Sequence, residues 1–484
     1  MRRLTAAAVL AFLVPCALSA QAPAPSAPDS GPDIPRLDSI VRANMASRHL
    51  VGVSLGLMKD GRVVLQRSYG TADLATNAPV NLETRFAIGS VTKEFICALV
   101  LQLAEEHRLS LDDKVAMWFP DLTRATDIAV RDLMGHVSGY PDYYPLDFLD
   151  RRLLRPIAAD SLIRWYGRLP LDFEPVTRWS YSNTGFIMLG RIAERVTGRS
   201  LERLLRERIF RPVGMTHTTY EPESTGGPEY ARGYASFALS PMERAEPEGR
   251  GWAAAAGGIW STPGDLLRWD KALMEGRVVH GEFLRQMTSA RMLTGGGSSH
   301  YGFGLSIGMA GGDTVWSHGG AVSGFAAQNV MLPRTRTAVV ILSNAEASVP
   351  SGPILRTVAS LLPAPRRDTT HHEPTANPRP VPTIQGPGAK DMATTLFHQI
   401  QAGQVDRGLL GEEYRWWLTD ARIAGAAQRL GPLTEPARIE TNPAVERGGM
   451  EVTVTRFVFP TLTLAGLMYR TPDGKVQEFL LSAQ

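Results

Sequence analysis

The sequence places a serine and a lysine three residues apart at the start of an apolar segment. Ser90-Val91-Thr92-Lys93 leads into residues 95–103, where apolar side chains cover most of the circumference of a helix. At this spacing Ser90 and Lys93 lie on one face, one turn apart. Burial lowers the pKa of a lysine, and a neutral amine can take the proton of a neighbouring serine. The alternative is structural: Ser90 caps the helix and Lys93 extends to solvent.

Two further short motifs follow along the chain. Tyr181-Ser182-Asn183 precedes a second strongly apolar helical pattern, residues 185–196, and His318-Gly319-Gly320-Ala321 lies between two strand-like runs. No Gly-x-Ser-x-Gly pattern surrounds Ser90 or Ser323, so an α/β-hydrolase interpretation finds no nucleophile. Tyr181, Asn183 and His318 each have a structural alternative, as turn, cap or strand-end residues. The occurrence of all three motifs in this order favours one shared site.

Periodicity predicts the elements that must position these motifs. The strand-like runs 51–57 and 63–69 are joined by Lys59-Asp60-Gly61, which is a hairpin signal. Helical patterns cover residues 37–48, 90–107, 153–169, 185–196 and 201–209, and further strand-like runs cover 301–307, 325–331 and 337–342, before a closing helix at 353–362. Strands at both ends with helices between them predict an α+β fold: one antiparallel sheet assembled from both ends of the domain, plus a helical lobe.

The composition then changes twice towards the C-terminal side. Residues 363–390 carry seven prolines and the pair His371-His372 and are typical of a linker, in which solvated histidines are expected rather than a metal site. Residues 391–484 resume a folded pattern, with helices at 392–403 and 421–430 and strands at 451–459, 462–469 and 476–481. This predicts a small α+β domain, and its helix-then-sheet order resembles the NTF2-like domains.

The N-terminal residues have the pattern of a targeting segment. Arg2 and Arg3 precede an apolar run too short for a comfortable membrane span, so residues 1–20 are interpreted as a signal peptide cleaved after Ala20. A twin-arginine signal and lipid attachment at Cys16 are weaker alternatives. Residues 21–33 are rich in Pro, Ala and Ser and are interpreted as a disordered spacer. We therefore expect an exported protein, periplasmic or secreted.

Composition narrows the classes of function. Hydrophobic residues make up 44% of the 484 residues, which allows a large core, and the net charge of +3 gives no argument for nucleic-acid binding. No membrane span is expected in the mature protein, and no metal or organic cofactor is expected. Cys97 would be its single thiol, and inside an apolar helix it is interpreted as a small buried hydrophobe rather than a nucleophile.

Taken together, the three motifs resemble the serine β-lactamase and penicillin-binding-protein family, in particular its class C β-lactamase and D-Ala-D-Ala carboxypeptidase branch. The likeness covers residues 34–362, which we take as a serine hydrolase domain. Further matching segments are residues 133–139, 212–215 and 257–262. The resemblance implies an antiparallel sheet flanked by helices, a helical lobe and a site between them.

The same resemblance implies roles for individual residues. Ser90 would be the nucleophile that forms an acyl-enzyme, and Lys93 would be its base or would lower the pKa of its neighbour. Tyr181 would relay the proton to the leaving group, with its pKa lowered from about 10 by adjacent cations. Asn183 would bind the substrate amide and Lys93, while Gly319 and Gly320 lead to an oxyanion hole made by the backbone N–H groups of Ser90 and Ala321.

Two positions depart from the family pattern. His318 stands where many members have lysine, and histidine is mostly neutral near pH 7, which weakens the case for efficient β-lactam hydrolysis. Val176 follows Pro175 where glycine is usual. The sequence therefore predicts a small-molecule or peptide substrate: a D-amino-acid peptide, a carboxypeptidase-type peptide or an ester. A true class C β-lactamase and a non-catalytic peptidoglycan- or peptide-binding protein remain alternatives, and the oligomeric state stays open.

Overall fold

The structure is a computed structural model, and it describes residues 34–144, 146, 150–310, 312–345 and 380–483. The predicted signal segment 1–20, the spacer 21–33, the helix predicted at 353–362 and the pair His371-His372 lie outside these ranges.

A seven-stranded antiparallel sheet forms the centre of the described N-terminal part of the chain. Its strands are β1 (Gly52–Lys59), β2 (Arg62–Asp73), β3 (Ala78–Pro79), β9 (Ser306–Ala310), β10 (Asp313–Val322), β11 (Phe325–Leu332) and β12 (Thr337–Ser343). They lie in the order β3-β2-β1-β12-β11-β10-β9, so the first and last segments of this region pair at its middle. Leu55 of β1 lies opposite Ile341 of β12, and every residue of β12 is buried.

Helices cover the sheet and build the lobe beside it. They are α1 (Ile34–Arg48), α2 (Thr92–Glu105), α3 (Val130–Met134), α4 (Ala159–Gly167), α5 (Asn183–Thr197), α6 (Leu201–Leu205), α7 (Arg211–Val213), α8 (Ala254–Gly257), α9 (Pro263–Met274) and α10 (Gly281–Met287). Small strands lie among them: β4 (Phe86–Ala87), β5 (Thr219–Tyr220), β6 (Tyr234–Ala235), β7 (Glu243–Arg244) and β8 (Ile259–Ser261). The apolar pattern after Ser90 is explained by α2, which is buried almost all round.

Hydrogen bonds to buried polar side chains hold α2 in register with the sheet. Asn329 of β11 donates to Glu94 of α2 at 3.2 Å and to Asp270 of α9 at 2.8 Å, while Trp269 donates to Glu94 at 2.7 Å. A buried polar group without partners is costly, so this arrangement fixes the relative position of the three elements. Because β10 pairs directly with β11, the position of His318 opposite Asn329 is fixed with it.

One predicted helix is shorter than its pattern. Residues 153–169 were expected to be helical throughout, but α4 begins only at Ala159. Pro156 lies inside the predicted span, and a proline cannot continue a helix from its N-terminal side. Ile157 instead donates its backbone N–H to the carbonyl of Arg250 at 2.9 Å, which attaches this segment to a neighbouring loop.

The strand that carries His318 was missed by sequence periodicity. The run 301–307 was predicted as a strand and 316–321 as the connection after it, whereas the strands are β9 and β10. Two adjacent glycines and alternating half-exposed positions weaken the strand pattern of β10. Antiparallel pairing with β9 and β11 stabilises this strand, although its side-chain pattern does not indicate one.

A second antiparallel sheet occupies residues 380–483. Helices α11 (Ala389–Gln401), α12 (Glu412–Trp417) and α13 (Asp420–Leu430) precede strands β13 (Arg438–Thr441), β14 (Val445–Arg447), β15 (Met450–Val458), β16 (Thr463–Arg470) and β17 (Val476–Ala483). The order is β13-β15-β16-β17, with β14 paired to β15. The α+β class, the antiparallel sheet flanked by helices and the small C-terminal α+β domain are thereby confirmed. Short α12, β13 and β14 were not predicted.

The C-terminal domain packs against a loop of the N-terminal part. Ala238 donates its backbone N–H to Leu481 at 2.9 Å, and Arg429 donates to the carbonyls of Ala238 and Phe237 at 2.8 and 3.1 Å. Phe237 belongs to the core of the C-terminal domain and packs edge-on against Trp417. Among the helices of the described ranges, none has both the length and the apolar character that crossing a bilayer requires.

Candidate active site

Ser90 lies in a single tight turn, Gly89–Val91, that leads into α2. Lys93, in the first turn of α2, is fully buried and donates to Ser90 Oγ at 3.1 Å, to Asn183 Oδ1 at 2.7 Å and to the carbonyl of Ala256 at 2.7 Å. The structural alternative, a lysine extending to solvent, is therefore wrong. Three acceptors surround the amine, and one of them is the hydroxyl that the sequence paired with it.

Burial is the main influence on the protonation of Lys93. It lowers the pKa of the amine to about 7, against a smaller opposing effect of the Asp142 carboxylate. The amine also lies 4.8 Å from the centroid of the Tyr181 ring and 5.2 Å from that of Phe186. A substantial fraction of Lys93 is therefore neutral near pH 7 and within hydrogen-bond reach of Ser90, which is the requirement for a general base.

The pKa of Tyr181 is shifted in the direction opposite to the sequence expectation. The sequence suggested that adjacent cations lower its pKa, but burial raises it, and the hydrogen bond with Ser90 offsets this effect only in part. Tyr181 therefore keeps its proton over the neutral range. Its hydroxyl can donate a hydrogen bond or relay a proton, whereas Lys93 is the better acceptor for the proton of Ser90.

Asn183 begins α5 and is held by a carboxylate that the sequence did not single out. Ser182 caps the helix by accepting from Gly185 at 3.4 Å, which places Asn183 at the mouth of the site. Asp142 Oδ1 accepts from the Asn183 backbone at 3.1 Å and from its Nδ2 at 3.0 Å. Asp142 thus fixes the amide so that its oxygen faces Lys93. Burial raises the pKa of this carboxyl, and the charges of Arg447 and Lys93 and the hydrogen bond from the Asn183 backbone favour its ionised form against that effect.

The backbone of β10 runs very close to the nucleophile turn. Gly89 has φ of 49°, and a Cβ there would lie 2.7 Å from the backbone nitrogen of Ala321. A Cβ on Gly320 would lie 2.0 Å from the carbonyl oxygen of Ile88 and 3.0 Å from the nitrogen of Ser90. Glycine at both positions allows the amides of Ser90 and Ala321 to come together, as an oxyanion hole requires.

His318 is buried, neutral and hydrogen-bonded within the protein. Its Nδ1 lies 2.5 Å from the Gly319 carbonyl, an acceptor, so Nδ1 carries the proton; Nε2 then accepts from the Tyr301 hydroxyl at 2.8 Å. Burial, together with the charge of Lys93, lowers the pKa of His318 to about 3. The sequence expectation of a mostly neutral histidine therefore holds, and no permanent cation stands at this position.

An aromatic cluster surrounds His136 between Tyr181 and β10. The His136 ring packs 4.3 Å from Tyr181 and 4.9 Å from Tyr301, and its Nδ1 accepts from the Ser182 backbone at 3.1 Å. Burial holds the pKa of His136 well below its usual value. This neutral histidine fixes the turn that carries Tyr181. The sequence signal for it was the segment 133–139, although no role for His136 followed from that segment.

The remaining side chains to consider are possible metal ligands and the thiol of Cys97. Within the described ranges, no cluster of three or more His, Cys, Asp or Glu residues has the geometry to hold a metal ion. Cys97 is buried, and burial raises the pKa of its thiol, so it is not a reactive thiolate. The hydroxyl, amine, phenol and backbone amides described above are sufficient for acyl transfer.

Comparison with known proteins gives this geometry a family. The Beta-lactamase family model matches residues 37–364. A D-aminopeptidase of Brucella anthropi is 33% identical over 326 residues, which are 65% of this chain and 60% of that protein. This chain thus spans about 60% of the length of that relative.

Solved structures agree. The D-amino acid amidase of Ochrobactrum anthropi SV3, complexed with L-phenylalanine, superposes with a TM-score of 0.58 at 26% identity, covering 67% of this chain and 99% of that one. An octameric penicillin-binding protein homologue from Pyrococcus abyssi has a TM-score of 0.61 at 20% identity and covers 92% of this chain and 95% of that one, which extends the likeness in fold into the C-terminal domain. The resemblance read from the three sequence motifs is confirmed: this chain belongs to the β-lactamase family of serine hydrolases.

Proposed function

We propose that the protein hydrolyses the amide bond that follows an N-terminal D-amino acid, in the manner of a D-aminopeptidase or D-amino acid amidase. The observation that carries the proposal is the charge of the site. His318 is neutral where recognition of a substrate carboxylate would need a cation, and the Asp142 carboxylate lies beside Asn183 and Lys93. This arrangement suits a substrate that presents a free ammonium group on its acyl part.

The names of the relatives support the same substrate class. Both the Brucella enzyme and the Ochrobactrum enzyme are described by their action on D-amino acid derivatives. Carboxypeptidase-type substrates carry a carboxylate on the leaving group, which the neutral His318 serves less well. The same absence of charge disfavours penicillins and cephalosporins, which also carry a carboxylate.

Acylation follows from the hydrogen bonds around Ser90. Neutral Lys93 takes the proton of Ser90 Oγ as this oxygen bonds to the acyl carbon, and the carbonyl oxygen becomes negatively charged between the amides of Ser90 and Ala321. When the carbon–nitrogen bond breaks, the proton passes from Lys93 to the leaving amine with the Tyr181 hydroxyl as relay. An acyl-enzyme on Ser90 remains.

Deacylation uses the same groups. Water takes the place of the leaving amine, Lys93 removes one of its protons, and the oxygen bonds to the acyl carbon. The Ser90 oxygen then leaves and regains its proton from Lys93. The D-amino acid is released and the enzyme returns to its starting state.

The test is hydrolysis of p-nitroanilides by the purified full chain. D-alanine p-nitroanilide is expected to be cleaved well above its L-enantiomer and above N-acetyl-D-alanine p-nitroanilide, and Ser90→Ala is expected to abolish cleavage. A fluorophosphonate probe should label wild type but not Ser90→Ala. Equal labelling of both proteins would refute the nucleophile. Labelling of Ser90 with cleavage only of nitrocefin, a D-Ala-D-Ala peptide or a p-nitrophenyl ester would keep the hydrolase and refute the substrate.

A further inference from the structure

A cavity of about 260 Å³ opens beside the nucleophile turn, next to the end of β10 that follows Ala321. Its walls include Ala87, just before the turn, Val322 and Ser323, just after the oxyanion amide, and Gly257 at the end of α8. The proposed mechanism gives this cavity no role. Its position next to both backbone segments of the oxyanion hole makes it a direct extension of the site.

The proton donors show which part of a substrate would face this cavity. The leaving amine must meet Tyr181, whose ring centre lies 6.2 Å from that of His318. The leaving group is therefore on the His318 side of Ala321. Because the acyl carbon sits at Ser90 with its oxygen at the Ala321 amide, the acyl part extends the other way along β10, towards Val322 and Ser323.

Gly257 keeps the entrance to the cavity open. A Cβ at this position would lie 3.5 Å from the backbone of Gly89 and 3.6 Å from Val322, which is ordinary contact, so a methyl group fits there. A longer side chain would extend between the nucleophile turn and the end of β10, and would close off the space. The cavity is therefore available to a large acyl side chain because residue 257 has none.

The cavity combines apolar walls with an inner carboxylate. Trp260, Val322 and Phe325 give it apolar surface. Glu248 lies among them, and its Oε1 accepts from the Ser323 backbone at 2.8 Å and from the Tyr144 hydroxyl at 3.0 Å, so its position is fixed. Burial raises the pKa of Glu248, so a cation placed beside it would stabilise the ionised form.

The other charges of the cavity do not cancel this carboxylate. Glu221 is half-buried and accepts from the Gly251 backbone at 2.9 Å. Arg232 is almost fully buried, lies 3.6 Å from Asp73 and donates to the carbonyls of Thr225 and Gly226, so its charge is already compensated. The remaining charged residues of the wall are exposed to solvent, where their effect is screened: Glu223, Arg244 and Arg250.

We propose that this cavity is the subsite for the side chain of the acyl residue, and that Glu248 binds a cationic group at the end of that side chain. The preferred acyl residue is then a D-amino acid with a long apolar stem and a terminal ammonium or guanidinium, of the D-lysine type. This proposal rests on the proposed hydrolysis of D-aminoacyl amides and names the substrate class within it.

The experiment compares three p-nitroanilides: D-lysine, D-norleucine, which has a similar stem without the charge, and D-alanine. Wild type is expected to favour D-lysine over D-norleucine by about tenfold or more in kcat/KM, the effect of a hydrogen bond between charged groups. Glu248→Gln keeps an acceptor for Ser323 and Tyr144, so it should lower cleavage of the D-lysine substrate most and bring this ratio to about one. Glu246→Gln, an exposed glutamate of the same segment, is the matched control and should keep the wild-type ratio.

Gly257→Leu tests the cavity independently of charge. It should lower cleavage of both D-lysine and D-norleucine substrates relative to D-alanine, whereas Gly257→Ala should not. A D-lysine to D-norleucine ratio that is unchanged by Glu248→Gln refutes the role of Glu248, and equal loss for all three substrates shows a structural role instead. If no D-aminoacyl substrate is cleaved while Ser90 still reacts with the probe, the proposed function itself is wrong.

Discussion

The pKa of Lys93 sets the pH range in which Ser90 can be activated. Because burial lowers this pKa to about 7, the amine is mostly protonated below that pH and mostly neutral above it. We expect kcat/KM for D-alanine p-nitroanilide to rise with pH, about tenfold per unit, up to about pH 7. Above about pH 8 it should fall again, because the α-amino group of the substrate, whose ordinary pKa is about 8, loses the proton that the proposed site recognises. A rate profile in the free-enzyme regime measures this inflection.

Two variants distinguish the contribution of Lys93 to the pH dependence from that of His318. Lys93→Ala removes the base and should lower kcat by about 10²–10⁴. His318→Gln should leave the acid-side inflection in place, since the pKa of His318 is already near 3 and contributes no step in the neutral range. A wild-type profile that is flat between about pH 5 and 8 would contradict a lysine base.

His318 is expected to set the charge preferred on the leaving group. A lysine at this position can offer a charged hydrogen bond to a substrate carboxylate, worth about 10–100-fold in binding. His318→Lys should therefore improve cleavage of a D-Ala-D-Ala peptide relative to D-alanine p-nitroanilide. His318→Gln, which is neutral, is the control, and a gain of the same size in that variant would argue against charge as the cause.

The two carboxylates near the site show the limit of prediction at the residue scale. Ser90, Lys93, Tyr181 and Asn183 stand in short motifs whose spacing carries their chemistry, and the structure brings all four together. Asp142 and Glu248 come from loops without a repeating pattern, and only tertiary contacts to Asn183 and Ser323 place them. Burial likewise decides the pKa of Tyr181, and for this reason the direction predicted from the sequence was wrong.

At the scale of elements, the fit between β10 and the nucleophile turn determines the oxyanion hole. Gly320→Ala would put a methyl group 2.0 Å from the Ile88 carbonyl, so the strand must move away from Ser90. We expect kcat to fall by about 10²–10³, the cost of losing one oxyanion donor. Gly319→Ala is the matched control, because its methyl group would lie 3.4 Å from the end of the Gln328 side chain and 3.9 Å from the Ala327 carbonyl oxygen, which are ordinary contacts.

Steady-state kinetics measure the effect of each variant, and thermal unfolding checks that both variants remain folded. Gly320→Ala should lower kcat far more than it changes KM, and Gly319→Ala should keep both within about a factor of two to three. Equal losses of kcat in the two variants would mean that a side chain at either position of β10 impairs the enzyme. The close contact between Gly320 and Ile88 would then have no specific role in catalysis.

The same strand explains why the fold was predictable only in part. Helix α2 and the buried strands β1 and β12 carry apolar patterns that local periodicity detects. Strand β10 has glycines where catalysis needs close backbone contact, so the features that make it functional also remove the strand signal. The amphipathic pattern of residues 153–169 predicted one continuous helix, although Pro156 within it disfavours a helical interior.

The buried acids beneath α2 predict a pH dependence of stability. Burial raises the pKa of Glu94 to about 8 from an unfolded value near 4.5, so between these values the folded chain holds a proton that the unfolded chain has lost. This group therefore makes the protein less stable as pH rises through that window, by up to about 1.4 kcal/mol per pH unit. Glu94→Gln should unfold with a flatter pH dependence, as measured by denaturant titration at about pH 5, 6.5 and 8.

The sign can be checked by the difference between the two proteins. The free energy of unfolding of Glu94→Gln minus that of wild type should grow with pH across the window. Gln can still accept from Trp269 and Asn329, whose hydrogen bonds hold α2 to its neighbours. A difference that stays constant with pH would show that Glu94 ionises at its ordinary pKa in the folded chain.

At the scale of the whole molecule, the C-terminal domain contributes charge to the site. Arg447, at the end of β14, donates to the Tyr144 carbonyl at 3.5 Å and to the Tyr469 hydroxyl at 2.5 Å. Its charge lowers the pKa of both Asp142 and Tyr181, against the effect of burial. Phe237, Ala238 and Leu481 join the two parts of the chain by packing and by a backbone hydrogen bond.

Arg447→Ala is therefore expected to weaken substrate binding without unfolding either domain. Without the arginine, the pKa of Asp142 rises, a larger fraction of its carboxyl is neutral, and the substrate ammonium loses its partner. KM for D-alanine p-nitroanilide should therefore increase, and more on the acid side of the neutral range than on its alkaline side, because acid favours the neutral form of this carboxyl. Arg438→Ala, an exposed arginine of the same sheet that pairs with Glu440, is the control and should leave KM unchanged. An increase in KM that does not depend on pH would place the effect of Arg447 in the shape of the Tyr144 segment rather than in the ionisation of Asp142.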